Sequence, residues 1–516
     1  MWAQERFSVS INPFTISGLP GLHSFAFASS DTKWLIIGGR VNGLHGFLPP
    51  FAFPGSGVNQ NVYVVDVATQ QVWYSSVITL PMAINEQMSS TNMEYYQSDS
   101  TLYFVGGYGF SSATSSFITM PYLTAIDVNG LMQAVINQTS ILPYFRQIVD
   151  TNMAVTGGDL GKINNEYNLV FGQRFDGRYN KSDSSSLFVQ HYTNEIRKFT
   201  IIDNGTALSI ANYQATNDTL NFHRRDYNLV AQIFPDHSVG YTAYSGVFQY
   251  HQNIPWFTPV DIAANATRID TSFTQHLSQY HSAVMPIYDS AFNAMHSVFF
   301  GGISMFKLDT VNNTYTTDSL VPFVKTISMV SRGADSILTE TKFFTEMPSL
   351  QGTNALFVPL ASVDKYSNGI IKINSLPAGS NLAGYIIGGI ESPLENISDI
   401  DPSLTSAVAS VYEVYINKQS AIGLVEKENN EVGINSMPNP FSLATTIEIA
   451  TVKTGNLKVT IINQYGGEIA TIVNEVVSVG IHSLQWNPNH LPAGVYNAHI
   501  IFNGVTINKK LVYIPQ

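Results

Sequence analysis

Apolar and polar residues alternate at a spacing of two along most of the chain, as in Asn61-Val62-Tyr63-Val64-Val65-Asp66-Val67 and Leu123-Thr124-Ala125-Ile126-Asp127-Val128. Successive side chains of a strand point to opposite faces, so this spacing predicts strands, and no sustained 3.6-residue spacing competes with it. Gly, Pro, Asn and Ser interrupt the runs roughly every ten residues, which predicts tight connections and an all-β chain.

The runs recur as a unit. A short polar start appears at Leu22-His23-Ser24, Thr91-Asn92-Met93, Thr151-Asn152-Met153, Arg225-Asp226-Tyr227, Tyr280-His281-Ser282 and Thr353-Asn354-Ala355. From His23 to Asn354 there are 331 residues in five steps, a mean period of about 66 that belongs to repeat architectures. Each start leads into a strand-like run ending in glycine: Ile36-Ile37-Gly38-Gly39, Phe104-Val105-Gly106-Gly107, Val170-Phe171-Gly172, Val239-Gly240-Tyr241, Phe299-Phe300-Gly301-Gly302 and Ile386-Ile387-Gly388-Gly389. Paired glycines after a buried strand predict a turn with positive φ pressed against the next unit.

These residues resemble the kelch family of β-propellers, most closely in His281-Ser282-Ala283 with Phe299-Phe300-Gly301-Gly302 and in Tyr63-Val64-Val65-Asp66 with Trp73. The resemblance covers about residues 20 to 417. It is close in the first two units, loose in the third and fourth, and stretched in the sixth by an insertion around Lys372 to Ser380. It implies a six-bladed propeller, with seven blades if an irregular one occupies Leu308 to Met347. The early run Phe7-Ser8-Val9-Ser10-Ile11 is expected to complete the last blade and close the ring, removing a free sheet edge.

Near Lys418 the texture changes. Glu426-Lys427-Glu428-Asn429-Asn430-Glu431 is the densest charge run of the chain, so the propeller is expected over 1–417 and a solvated linker over 418–433. The remaining 434–516 carries six short strand-like runs between glycine-bearing turns, which suits an immunoglobulin-like β-sandwich. Its residues also resemble the type A C-terminal sorting domain of the type IX secretion system of Bacteroidetes. Met437-Pro438-Asn439-Pro440-Phe441 matches the opening signature, Val459-Thr460-Ile461-Ile462-Asn463 with Gly466-Gly467 the central strand and turn, Leu491-Pro492-Ala493-Gly494-Val495-Tyr496 the strand entry, and Lys509-Lys510-Leu511 the closing strand. The resemblance implies a sorting signal centred on Pro438, Asn439, Pro440, Phe441, Gly494, Tyr496, Lys509 and Lys510. It also implies export to the cell surface or medium by that machinery. The opening Met1-Trp2-Ala3-Gln4 carries no apolar signal core, so export requires a signal already removed. Bacteria of this kind commonly glycosylate Asp-Ser/Thr-apolar triplets, which makes Thr219, Thr310 and Ser319 candidate O-glycosylation sites.

Composition narrows the function classes. Hydrophobic residues make up 44% of the 516 and charged residues 12%, about half the usual ~25% charged share, which argues against coiled coil and disorder. The net charge of −12 with no basic stripe excludes a nucleic-acid partner. No apolar run approaches the ~20 residues of a membrane helix. With no cysteine, thiolate metal sites, thiol nucleophiles and the Tyr-Cys crosslink of galactose-oxidase-like propellers are excluded. Nucleophile-elbow, zinc-helix, phosphate-loop and dinucleotide motifs are missing. No cofactor is implied, and scattered Asp and Asn leave calcium open.

First strands line a propeller's channel, so His23, Asn92, Asn152, Asp226, His281 and Asn354 are expected to ring one end of it. A water-filled wall with ordinary hydrogen bonds explains such a ring more readily than a ligand or metal site. Arg225, with Arg224, His223 and Asp226, forms the densest ionic cluster; it suits either an acidic sugar or an inter-blade salt bridge. Tyr108, Phe110 and Trp256 flank Gly or Pro and are expected on loops, where aromatic faces stack on sugars. The leading expectation is a secreted or surface propeller that binds or scaffolds a polysaccharide or surface protein. The alternatives are a carbohydrate-active enzyme using His281, Asp226 and Arg225 at the channel mouth, and a subunit of an extracellular assembly that retains its tail.

Overall fold

The period-two runs become strands that pair in sequence order. The computed structural model describes residues 7–48, 50–180, 188–309, 314–397, 401–418, 432–463 and 467–515, which divide into two compact units, Phe7–Gln419 and one beginning at Ser420. The molecule is all-β. In the larger unit four consecutive antiparallel strands make the first sheet (Ala26–Ser30, Lys33–Ile37, Asn61–Asp66, Gln71–Ser76). The same order repeats in sheets whose innermost strands are Glu94–Ser98, Asp159–Ile163, Asn228–Ile233, Ala283–Asp289 and Leu350–Pro359. The outermost strand of the sixth sheet is the N-terminal strand Phe7–Phe14, paired antiparallel with Val411–Lys418 from Phe7↔Lys418 to Phe14↔Val411.

Cores between sheets close the ring. Leu35, Ile37 and Val62 of the first sheet pack with Leu102, Phe104 and Ile126 of the second. Tyr103 and Leu123 meet Leu160 and Phe199 of the third, and Val170 and Ile196 meet Tyr241 and Ile262 of the fourth. Tyr244 meets Phe299 of the fifth, Met285 and Val298 meet Phe357 and Val414 of the sixth, and Tyr385 and Ile387 return to Trp34 and Ile36 of the first.

The glycine turns make this packing possible. Gly106 has φ 63°, and a Cβ there would lie 2.0 Å from the Val155 carbonyl oxygen at the head of the third sheet. Gly388 (φ 65°) presses in the same way on Leu22, across the closure between sixth and first sheets. The turn of the fourth sheet was expected at Val239-Gly240-Tyr241 but is made by Ser245 and Gly246, with φ 58° and 98°; Val239–Tyr244 is the strand that leads to it. The Leu308 to Met347 stretch contributes the third and fourth strands of the fifth sheet, Phe323–Arg332 and Leu338–Glu346, after the hairpin strands Phe306–Asp309 and Thr314–Thr317.

The C-terminal unit has a three-stranded sheet (Val432–Met437, Thr445–Thr451, Gly480–Trp486) and a four-stranded one (Glu468–Val477, Gly455–Asn463, Gly494–Phe502, Val505–Tyr513). Ile447, Ile449, Val459, Trp486, Tyr496 and Ile500 are buried between them. The charged run Glu426–Glu431 lies outside the described residues.

Candidate functional site

Six residues occupy one equivalent position at the head of the innermost strands: Ser24, Asn92, Gly157, Asp226, His281 and Asn354. All have φ between 51° and 67°. Backbone bonds join them around the axis: Asn92 N–H donates to Ser24 O (3.2 Å), Gly157 to Asn92 O (3.1 Å), Asp226 to Gly157 O (2.8 Å), and Asn354 to His281 O. Glycine takes left-handed backbone most cheaply, and Asn, Asp and His tolerate it best among the rest. Five of the six positions thus carry polar side chains at the channel mouth.

Two expected ring members are displaced. His23 stands one residue before the axis position, buried, with Nδ1 against Ser24 Oγ (2.9 Å) and no partner for Nε2. Asn152 is exposed on the turn Thr151–Met153, and Gly157 takes its place in the ring.

The side chains form two arcs. Asn92 Nδ2 donates over Gly157 to Asp226 Oδ1 (3.3 Å), His281 Nδ1 lies 3.8 Å from the same oxygen, and Arg225 pairs with Asp226 Oδ2. On the other side Asn354 Nδ2 donates to Ser24 Oγ. Burial, then the Arg40 guanidinium, lowers the His23 imidazole to about 3. Burial also lowers His281, against the pull of Asp226. Both rings are therefore neutral at neutral pH, beside the Arg225–Asp226 ion pair. Behind it, Asp159 at the head of the third inner strand is pushed up to about 7 by its enclosure, and burial also raises Glu94 well above the usual carboxylate range, with Asp159 and Asp226 adding to the effect.

Aromatic rings wall this mouth, and sequence reasoning missed most of them. Arg225 Nε donates to Tyr192 OH (3.1 Å), and the Tyr192 ring stacks on His223 at 3.7 Å, with exposed Tyr250 edge-on to His223. His45, Phe53 and Tyr179 cluster face to face (His45–Phe53 4.2 Å, His45–Tyr179 5.2 Å, Phe53–Tyr179 6.0 Å), and Phe53 continues to Tyr108 and Phe175. Except for His223, which lies between the last strand of the third sheet and the first of the fourth, these residues come from the connections between second and third strands of the first four sheets. Their signal in the sequence was the length of those connections and their aromatic content, as in His45-Gly46-Phe47 and Phe51-Ala52-Phe53.

Trp256 is not an exposed platform. It is 9% exposed, donates Nε1–H to His223 O (2.8 Å), and lies 4.3 Å beneath the guanidinium of fully buried Arg224. Tyr108 is likewise buried, while Phe110 is exposed. Among the described residues Arg224 has no carboxylate partner, and it donates to the Asn221 and Ser245 carbonyls.

In the C-terminal unit, Asn439 clips the last strand: Nδ2 donates to Lys510 O (2.7 Å) and Oδ1 accepts from Val512 N–H (2.7 Å). Pro438 and Pro440 flank that clip. Phe441 is buried between Trp486 and Tyr513. Gly494 is exposed at a strand start, and Tyr496 is buried with its OH donating to Pro492 O (2.8 Å). Lys509 is half-buried and its ammonium is lowered by burial, whereas Lys510 is exposed. Thr219 and Ser319 are exposed, each next to an Asp whose carboxylate accepts the N–H two residues on. Thr310 and Gly466 lie outside the described residues. Among the described residues no group of three or more His, Asp or Glu is placed to hold a metal, and no helix is long and apolar enough to cross a membrane.

No protein-family model matches the chain, and no curated protein matches it. Among solved structures, YjhT is similar over 78% of this chain and 100% of its own, at 11% identity and TM-score 0.43. A fungal alcohol oxidase of the AA5 family, in complex with copper, is similar over 98% of each chain, at 9% identity and TM-score 0.37. PorZ, an essential surface component of the type IX secretion system of Porphyromonas gingivalis, is similar over 95% of this chain and 86% of its own, at 9% identity and TM-score 0.15.

Proposed function

We propose that the chain is a secreted or cell-surface protein. In this reading a six-bladed kelch-like propeller (1–417) binds polysaccharide at its channel mouth, a linker (418–433) follows, and an immunoglobulin-like sorting domain (434–516) delivers it through the type IX secretion machinery. The observation that carries the binding reading is the gathering of Tyr192, Tyr179, His45 and His223 around the Arg225–Asp226 pair. Sugars are held by flat aromatic faces together with fixed hydrogen-bonding groups, and this mouth offers both. The export reading rests on the clipped Pro438-Asn439-Pro440-Phe441 motif at the start of a terminal β-sandwich.

The test is to incubate the full chain with a panel of neutral and acidic polysaccharides and to read retention and released products from the same wells. Retention without product, lost in Tyr192→Ala, supports a binding module; no retention on any member removes the reading. One observation favours a second reading. Asp159, raised to about 7, stands with Glu94 behind the mouth, and a carboxyl protonated near neutral pH is what a general acid requires. Product formation abolished by Asp159→Asn would move the assignment to a carbohydrate-active enzyme.

A further inference from the structure

The outer rim of the first two sheets carries a cleft of about 390 Å³ that shares no residue with the mouth, a volume within the ~300–1,000 Å³ of small-ligand sites. One wall is the outermost strand of the first sheet, Gln71–Ser76, with the turn after it; the other is the segment 138–142. A helix sets this second wall. Between the third and fourth strands of the second sheet, Val128–Ile136 buries Val128, Leu131 and Val135 with Leu35 and Val62 of the first. Its end is closed by Gln138 N–H on Val135 O (3.3 Å) and Thr139 N–H on Ala134 O (2.9 Å), with Gln138 at φ 54°. Glycine takes this left-handed closing position most cheaply. Here a glutamine holds it, and its Nε2 donates to Val135 O (2.7 Å) and Tyr74 O (3.2 Å), tying the two walls together. Both amide hydrogens are thereby committed, which leaves Oε1 as an acceptor.

The Tyr74 ring in this cleft is 59% exposed and is steadied by buried Tyr63, 6.0 Å away. Ser76, Thr79, Thr139 and Ser140 add hydroxyls to the lining. No lining residue is charged, and no charged residue occurs from Val67 to Asn85 or from Val128 to Phe145. This composition selects a ligand class. An ion would give up hydration with no opposite charge to receive it, and an apolar ligand would strand the hydroxyls and the amide away from water. An uncharged sugar ring meets both conditions, since its C–H face lies on an aromatic ring while its hydroxyls pair with fixed polar groups.

We propose that this rim cleft is a separate site for a neutral sugar, with Tyr74 as the stacking face and Gln138 Oε1 as the fixed acceptor. A small open cleft binds one sugar with a Kd on the order of 1 mM, too weakly to hold the protein on an immobilised polymer through washing, so it acts beside the mouth and not in its place. The experiment is saturation-transfer NMR on the full chain, wild type and Tyr192→Ala, with maltotriose, cellotriose, mannotriose and chitotriose, and with trigalacturonate as the acidic control. In Tyr192→Ala, where the mouth is disabled, at least one neutral trisaccharide still receives saturation and trigalacturonate does not. Adding Tyr74→Ala weakens the neutral sugar about tenfold. Adding Gln138→Gly, which eases the left-handed backbone and keeps the fold, weakens it about fivefold; unfolding curves check both. No transfer to any neutral trisaccharide, transfer indifferent to Tyr74→Ala, or equal transfer to trigalacturonate in Tyr192→Ala overturns the proposal. Neutral-sugar transfer that disappears in Tyr192→Ala alone also overturns it, while leaving the reading of the mouth in place.

Discussion

Glu94 stands two residues after the axis position Asn92, and its carboxyl is buried between the second and third sheets. Oε1 accepts Gly158 N–H (2.8 Å) and Oε2 has no partner. A carboxyl whose folded pKa is raised gives its full stability below its unfolded value, 4.5 here, and loses it as pH rises through the folded value. Asp159, at about 7, acts in the same sense. The ring is therefore expected to be less stable at pH 8 than at pH 5. Glu94→Gln should lessen the fall, raising Tm at pH 8 by ~2 °C or more; thermal unfolding with an unchanged pH dependence in the variant would speak against it. Trp256 works differently. It supports a buried guanidinium with an unpartnered Nη2, so Trp256→Ala is expected to cost about 3–5 kcal/mol in urea unfolding, while Tyr192→Ala at the rim costs little. Equal costs would contradict these placements. Asn92, Asp226, His281 and Asn354 were legible because residues that tolerate left-handed backbone recur at the repeat. Ser24 was hidden beside a more conspicuous histidine. Gly157 was hidden because Thr151-Asn152-Met153 copies the pattern of Thr91-Asn92-Met93, yet the backbone enters the third sheet five residues later.

At the level of elements, alternation and glycine pairs made the strands readable, and the apolar alternation of Phe7-Ser8-Val9 marked the strand that completes the sixth sheet. Phe7 and Val9 are buried in the core between fifth and sixth sheets. Deleting residues 1–14 should leave the Val411–Lys418 edge unpaired and that core open. Aggregation on size exclusion or faster proteolysis is expected, and a monodisperse, equally stable product would contradict the closure. The hairpins Tyr108–Ser111 with Ser116–Thr119 and Gln173–Gly177 with Phe188–Tyr192, and the strand Ile371–Lys372 on the edge of the fifth sheet, were not legible, because their order comes from contacts with distant sheets and not from local period. Asn439 is a comparable long-range device. Its loss in Asn439→Ala removes two bonds to the last strand, for about 1–3 kcal/mol. Hydrogen exchange at Val512 should quicken, and unchanged protection would show that the clip is redundant.

The whole chain carries a formal charge of −12, while Arg40 and Arg178 lie near Tyr108 and Arg225 pairs with Asp226 beside the aromatic rings of the mouth. In the proposed reading, three guanidiniums against Asp226 and Asp176 are expected to favour acidic chains over neutral ones. The all-β class followed from period and composition, since both are properties of the whole chain, whereas the site depends on which connections converge. The most direct measurement is retention of the full chain on immobilised polygalacturonate, hyaluronan and dextran, compared among wild type, Tyr192→Ala and Arg225→Ala with unfolding curves run alongside. Retention by wild type, stronger on the acidic chains and lost in both variants at unchanged stability, is the predicted result. Retention that survives both substitutions, or fails for wild type on every chain, would contradict a polysaccharide site at this mouth.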